Sequence, residues 1–346
     1  MTGHLDAHAK PPPRLREIYK DFQKLKLPAL ALSPDLIGFD DAGKTTDARL
    51  QTTKTASLPA ELRQVFLDFL DDKSLIDPAH SPSDDIGHAV VYEIPNVPGL
   101  FIYPCLFPSS VQLSLLDRLL HRDLSNPQHQ TNVHLHHLMT YPADQVEHTS
   151  FFHDSAHELS WTPKDPNIHK DFEIKQFLNK KLRWATLGGQ YDWTNKVYPE
   201  GLPPSFPQDI KHMVENIFPM KAEAAIVNLY SPGDTLSLHR DVSEECDKPL
   251  VSISLGCDAV FICGLDPKHE ADEPRVATLR LRSGDAVLMS GESRYAWHGV
   301  PKVIPDTCPV PMEDWPAVPD ALKEYEHWRG WMKGKRVNIN IRQMFA

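Results

Sequence analysis

Two periods of hydrophobic and polar positions run along this chain, and the change from one to the other divides it. In residues 14–25, Ile18, Phe22 and Leu25 recur at helical spacing with Tyr19 beside them, which predicts a short helix. Residues 58–70 predict a second amphipathic helix, with Ser57-Leu58-Pro59 as its start signal. The rest of 26–84 mixes Pro, Ser, Asp and Thr with short apolar patches. Residues 1–88 therefore read as an extension, partly helical and partly flexible, that ends in a linker near 81–87. Two further helices are expected at 108–122, with a stripe of Val111, Leu115, Leu119 and Leu120 behind a Ser109 or Ser110 cap, and at 206–217, with Ile210, Met213, Val214 and Ile217 turned inward. Elsewhere the period is that of strands, at 99–103, 224–230, 236–241, 297–300 and 339–344. Residues 250–255 with 259–263, and 278–282 with 286–290, look like hairpins around Gly256-Cys257-Asp258 and Ser283-Gly284-Asp285. Short strands at regular spacing predict a sandwich or jelly roll. The expected class is thus α+β: a body from 89 to 346, a jelly-roll core over about 222–346, and a Pro-rich insertion at 304–335 holding a helix near 321–331.

Composition narrows the classes. At 346 residues and 41% apolar content the chain can bury a sizeable core. No apolar run is long enough to span a membrane. Residues 1–13 are polar, with neither the apolar centre of a secretory leader nor an Arg-rich transit pattern. The five cysteines, Cys105, Cys246, Cys257, Cys263 and Cys308, are odd in number and unpaired in spacing, so a reducing compartment is expected. Nucleus or cytoplasm fits, and mitochondrial import by an unusual route stays open. The expected state is a monomer. A net charge of −11 argues against a bulk electrostatic binder of nucleic acid. Such a partner would need a local basic patch and would bind in a salt-sensitive way. One candidate patch exists: Lys175, Lys180, Lys181 and Arg183 lead into Trp184, Tyr191 and Trp193. Cations beside spaced aromatics can hold phosphates and stack bases. The same residues also read as a solvated helix face followed by core aromatics.

The candidate chemistry lies between 225 and 342. His239 and Asp241 are two apart, so in a strand they point to one face with Cα atoms about 6.6 Å apart. His298 supplies a second imidazole. Two His and one carboxylate on one side of an ion, with the other side open, is the facial set of non-haem Fe(II) oxygenases. Zinc is the chemical rival. A second pattern favours iron. In Arg336-Val337-Asn338-Ile339-Asn340-Ile341-Arg342 the polar residues share one parity and the apolar residues the other, and Asn228 and Tyr230 share parity in the strand before the His–Asp pair. Two Arg and two Asn on one buried face call for an anion, and Arg grips a carboxylate bidentately. His134, His136 and His137 lack a carboxylate or Cys at ligand spacing and read as loop histidines.

The segments N-L-Y-S-P-G-D-T-L-S-L-H-R-D, P-L-V-S-I-S-L-G, S-G-D-A-V-L-M-S-G and R-V-N-I-N-I-R-Q resemble the AlkB family of Fe(II)/2-oxoglutarate dioxygenases. L-R-W-A-T-L-G at 182–188, followed by Tyr191-Asp192-Trp193, looks most like the eukaryotic AlkB-homologue-1 branch. The resemblance is strong from 182 onward, weak over 98–181 and hardly extends to the first ninety or so residues. It implies a double-stranded β-helix core and Fe(II) held by His239, Asp241 and His298. It implies 2-oxoglutarate gripped by Arg336, Asn338 and Tyr230 at its far carboxylate, with Arg342 and Asn228 at the metal end, and O₂ as co-substrate. It further implies a nucleotide-recognition lid over about 182–200 carrying Trp184, Tyr191 and Trp193. Lys180, Lys181 and Arg183 would then contact phosphate, and Ser243 or Glu244 would face the base where the bacterial archetype has an Asp. The implied activity is oxidative demethylation of nucleic-acid bases, tRNA first and DNA next, with release of succinate, CO₂ and formaldehyde. A flipped or single-stranded base is required, since a stacked one cannot reach a buried iron. Two rivals stand beside it: a protein or amino-acid hydroxylase on the same scaffold, and a non-catalytic protein that binds partners through its extension.

Overall fold

The computed structural model of the chain describes residues 5–6, 8–57, 60–71, 88–142, 149–192, 198, 201–244, 246–267, 272–318 and 323–345. Two antiparallel sheets form its centre. The large sheet runs, in spatial order, β1 (Gln51–Ser57), β2 (His88–Glu93), β3 (Leu100–Tyr103), β12 (Ala286–Met289), β9 (Leu250–Gly256), β14 (Arg336–Arg342), β7 (Ala224–Tyr230) and β6 (Trp184–Gly188). The small sheet runs β11 (Arg275–Leu281), β10 (Ala259–Leu265), β13 (Trp297–Val303) and β8 (Leu236–His239). A separate two-stranded ladder joins β4 (Ser160–Trp161) to β5 (Phe172–Glu173).

The chain winds between the two sheets. β7 lies in the large sheet, β8 in the small, β9 in the large, β10 and β11 in the small, β12 in the large, β13 in the small and β14 in the large. This is the jelly roll, and it corrects the two expected hairpins. β9 does not fold back on β10, nor β11 on β12; from β7 to β14, only β10 and β11 pair as successive strands. A turn between two short apolar runs reads the same whether the second run returns beside the first or crosses to the facing sheet. Gly256 makes the first crossover at φ 81°, where a Cβ would meet the Lys335 carbonyl at 2.4 Å.

The parity of β14 holds. Val337, Ile339 and Ile341 are fully buried in the main core, together with Phe66 and Phe69 of the helix Ala60–Asp71, Val111 and Leu115 of Ser109–Asp117, and Ile210 and Met213 of Gln208–Ile217. The opposite face carries Arg336, Asn338 and Arg342 toward the small sheet's side of the molecule, where they meet the residues described below. The segment expected as an extension contributes to both sheets. β1 and β2 extend the large sheet. Leu15, Tyr19 and Phe22 of the helix Pro13–Lys24 cover Leu238, Val260, Ile262 and Trp297 on the outside of the small sheet. Leu15 sits against the backbone of β10, since a Cβ on Gly264 would meet its Cδ2 at 2.6 Å.

Two further expectations change. The helix anticipated near 321–331 is instead two 3₁₀ turns, Lys323–Trp328 and Trp331–Gly334, divided at Gly330, which adopts φ 80°. Trp315, Trp328 and Trp331 ring Phe152 with centroids 4.9, 5.8 and 5.0 Å away, so aromatic packing ties this insertion to the core. The stretch anticipated as a lid from 182 begins as β6, an edge strand of the large sheet.

The cover over the small sheet is testable. Leu15→Ala should cost about 2–5 kcal/mol of unfolding free energy, as truncation of a fully buried leucine does, read by urea denaturation. A loss within experimental error would mean that the first helix does not seal the small sheet.

Candidate metal centre and polar cradle

His239 is the last residue of β8, and His298 is the second of β13. The two strands are neighbours and place these residues directly opposite each other, with ring centroids 4.3 Å apart. Asp241 lies beyond the end of β8, in the loop toward β9. The simple picture of His239 and Asp241 projecting together from one strand is therefore corrected: β8 delivers the histidine, and the loop turns the carboxylate back. Nε2 of His239 lies 3.8 Å from Oδ1 of Asp241, and Nε2 of His298 lies 3.7 Å from Oδ2. One ligand atom from each of the three lies within 4.8 Å of the others.

The protons are arranged to leave that space to lone pairs. Nδ1–H of His239 donates to the Ser237 carbonyl at 2.9 Å, and Nδ1–H of His298 donates to the Ala296 carbonyl at 3.1 Å. A carbonyl can only accept, so each ring is held with Nε2 facing Asp241, the tautomer a metal requires. Burial and the neighbouring His239 push His298 down to about 4, so it is neutral at neutral pH. Burial alone would raise the Asp241 carboxyl, but the Arg342 guanidinium and the two imidazoles outweigh it and hold the group below the ordinary carboxylate range.

Arg342 is the last residue of β14, and its Nη2 donates to Oδ2 of Asp241 at 2.6 Å. Its Nε lies 3.3 Å from Oε1 of Glu244. Glu244 also meets Arg294, 2.8 Å from Nη2, and accepts from the Tyr198 hydroxyl at 3.4 Å. Arg294 comes from the turn just before β13 and donates to the main-chain carbonyls of Asp241 at 2.7 Å and Lys248 at 2.9 Å. Outside the small sheet, Arg240 lies over the Trp297 ring at 4.2 Å and pairs with Asp266, to which the Trp297 indole N–H donates at 2.8 Å. The neighbours of all three candidate ligands are thus clamped from the far side of the strand.

The other end of β14 is a cradle. Arg336 stands opposite Tyr230 on β7 and opposite Gly256 on β9. Its Nη2 donates to the Ser254 hydroxyl at 2.8 Å and its Nη1 to the Cys257 carbonyl at 3.3 Å, while its Nε has no partner among the described residues. The Tyr230 hydroxyl, also buried, has none among them either. Arg336 is 1% exposed, and among the described residues no carboxylate forms an ion pair with it. Burial pushes the guanidinium below its ordinary value. A cation this deep with unspent donors fits an external anion. Asn338, between the two arginines, donates to the Ser252 hydroxyl and the Ile253 carbonyl, each at 2.9 Å. Asn228 and Trp184 lie in its row, through the pairings Asn338–Asn228 and Trp184–Asn228. Directly paired residues share a face of a sheet, so Trp184 projects on the cradle's side.

The remaining expected site residues divide. Tyr191 and Ser243 come together, hydroxyl to hydroxyl at 3.1 Å, and Tyr191 meets Tyr198 edge to face at 5.2 Å. Glu244, expected to face a substrate, is corrected: its side chain is 3% exposed and engaged by two guanidiniums. Lys180, Lys181 and Arg183 are exposed, but Arg183 already pairs with Asp234. Trp193 lies outside the described residues. Sequence reasoning missed Arg294 and Tyr198. Neither carries a periodic signal; an arginine four residues before a candidate ligand was the one available hint.

A profile of the 2OG-Fe(II) oxygenase superfamily matches residues 131–342. The chain is 45% identical, over 98% of each sequence, to the N6-methyladenosine RNA demethylase ALKB1 of Pyricularia oryzae. It is 51% identical to the N6-methyladenosine RNA demethylase ALKBH of Cryphonectria parasitica, covering 61% of this chain and 99% of that one. It is 36% identical to the tRNA demethylase abh1 of Schizosaccharomyces pombe, covering 73% and 82%.

One consequence of the Arg342 pairing is measurable in the metal-free protein. Arg342→Met should destabilise the fold by about 3–5 kcal/mol, because Asp241 would lose the partner that compensates its burial, read by chemical denaturation at neutral pH. Wild-type stability in that variant would mean that Asp241 is satisfied in another way.

Proposed function

The chain belongs to the 2OG-Fe(II) oxygenase superfamily, and from that premise we propose that it oxidatively demethylates bases of RNA. tRNA is the first candidate and single-stranded or flipped bases of DNA the next. The observation that carries this reading is the pairing of a His239–Asp241–His298 cluster with a buried, anion-seeking Arg336 and Tyr230 on the same jelly roll. His239, Asp241 and His298 would hold Fe(II). Arg336, with Tyr230 and Asn338, would hold the far carboxylate of 2-oxoglutarate, and Arg342 with Asn228 would serve the metal end. When bound, iron and 2-oxoglutarate supply the oxidising chemistry: dioxygen is consumed, 2-oxoglutarate leaves as succinate and CO₂, and a substrate C–H bond is hydroxylated. A hydroxylated N-methyl group then leaves as formaldehyde, and the base nitrogen regains its proton.

The chain's own residues orient and shield. Ser237 and Ala296 hold the imidazole tautomers, and Arg342 fixes the carboxylate rotamer of Asp241. Ser243, two residues after Asp241 in sequence, forms with Tyr191 a polar wall where a base edge could be read. Trp184 is the stacking candidate. Tyr191, with Tyr198 against its ring, is assigned to a lid over the base, and Trp193 to the same lid, by resemblance. Lys180 and Lys181, exposed and on an acidic chain, are the candidate phosphate contacts. The relatives named for N6-methyladenosine RNA and for tRNA support an RNA substrate over a protein one. Nuclear or cytoplasmic residence is proposed to match.

The deciding experiment is mass spectrometry of nucleosides from tRNA, messenger RNA and DNA incubated with iron, 2-oxoglutarate and either wild type or Asp241→Ala. Loss of one methylated nucleoside with wild type alone is expected; identical nucleoside profiles would remove the demethylase reading. The cradle has its own test. Arg336→Lys keeps the charge but loses the fork, so KM for 2-oxoglutarate should rise at least about tenfold, the cost of roughly one charged hydrogen bond. An unchanged KM would place the anchor elsewhere.

A further inference from the structure

Glu244 sits where a substrate contact was expected, yet it faces inward. Its carboxylate touches Arg294, Arg342 and the Tyr198 hydroxyl. Each of those arginines in turn holds Asp241, Arg342 at the carboxylate Oδ2 and Arg294 at the main-chain carbonyl. Among the described residues the local count is therefore two guanidiniums and two carboxylates, all within one connected set of contacts and nearly closed to solvent. Without the Glu244 charge, two cations would stand beside a single carboxylate, and Arg342, with no second anion to share it, would compete more strongly with an incoming divalent ion for Oδ2 of Asp241.

We infer that Glu244 is a positioning residue of the metal centre, cancelling one guanidinium charge so that Asp241 can accept a divalent cation. This rests on the reading that His239, Asp241 and His298 bind a metal. The geometry gives Glu244 the task through two routes. Its Oε1 draws on Arg342 and so limits that guanidinium's hold on Asp241; its Oε2 neutralises Arg294, whose other donors fix the loop carbonyls of Asp241 and Lys248. The Tyr198 hydroxyl on Oε1 and the Tyr198–Tyr191 ring contact carry the same network to Ser243, so the metal carboxylate and the polar wall share one anchor. Outer groups of this kind commonly change metal affinity without touching the ion.

The test reads metal binding directly. Mn(II) is titrated into the metal-stripped full chain and free Mn(II) is followed by electron paramagnetic resonance, with thermal melting of each variant alongside. Glu244→Gln, nearly isosteric and uncharged, should raise the Mn(II) Kd by about 10–100-fold. Glu244→Asp, which keeps the charge, should stay near wild type. The double variant Glu244→Gln/Arg294→Gln, which removes one charge of each sign, should recover most of the affinity lost in Glu244→Gln. Wild-type affinity in Glu244→Gln would overturn the inference. Equal losses in Glu244→Gln and Glu244→Asp would also overturn it, since shape and not charge would then be responsible, and so would a double variant no better than Glu244→Gln. Failure of the underlying metal reading looks different: wild type would bind no more Mn(II) than Asp241→Ala, whatever residue stands at 244.

Discussion

A guanidinium cannot be buried without an anion or a full set of acceptors, and two of them are buried on one face of β14. The interior of this protein follows from how each is satisfied. Arg342 finds its anions within the chain, at Asp241 and Glu244. Arg336 finds a hydroxyl and a carbonyl but no carboxylate among the described residues. One end of the strand is therefore closed by the protein itself, and the other is shaped for something from outside. Moving β14 by a single residue would reverse its faces, driving both arginines into the apolar core beneath the helices and turning Val337, Ile339 and Ile341 toward the polar side.

The jelly roll makes such a face affordable. An ordinary sandwich fills the gap between its sheets with apolar side chains. Here the large sheet is backed by helices whose Phe66, Val111, Leu115 and Ile210 join Val337, Ile339 and Ile341 in the main core, and the small sheet is backed by Leu15, Tyr19 and Phe22. With hydrophobic burial supplied on the two outer faces, part of the inner space is released for polar groups. The small sheet uses it to bring His239 and His298 face to face, and the loop after β8 supplies Asp241 between them. The Arg240–Asp266–Trp297 set holds the same two segments from behind. The ligand positions are thus gripped on both sides of the small sheet, as a preorganised centre needs.

The acidic character of the chain fits an enzyme that meets its substrate at one local surface. Tyr191, Tyr198 and Ser243 join in one set of contacts and Trp184 lies in the Asn228 row, while the cations Lys180 and Lys181 lie exposed in the π-helix Phe177–Lys181. Arg183 is drawn away into an ion pair with Asp234, which leaves less positive surface than the sequence alone promised.

What the sequence determined is whatever local periodicity and residue type can carry. The alternation from Arg336 to Arg342 announced a strand with a polar buried face, because side chains alternate with period two whatever the strand pairs with. His239, Asp241 and His298 were nominated by type, and the helices at 13–24, 60–71, 109–117 and 208–217 by spacing. The tertiary structure decided everything that depends on which segment crosses to which sheet. It turned two apparent hairpins into crossovers, placed Asp241 in a loop, set Trp184 in an edge strand beside Asn228, and committed Glu244 to Arg294 and Arg342. The physical reason is range. A period is a property of neighbours in sequence, whereas a charge pair joins residues 50 and 98 positions apart, as Glu244 joins Arg294 and Arg342, and only the folded winding of the chain brings them within reach.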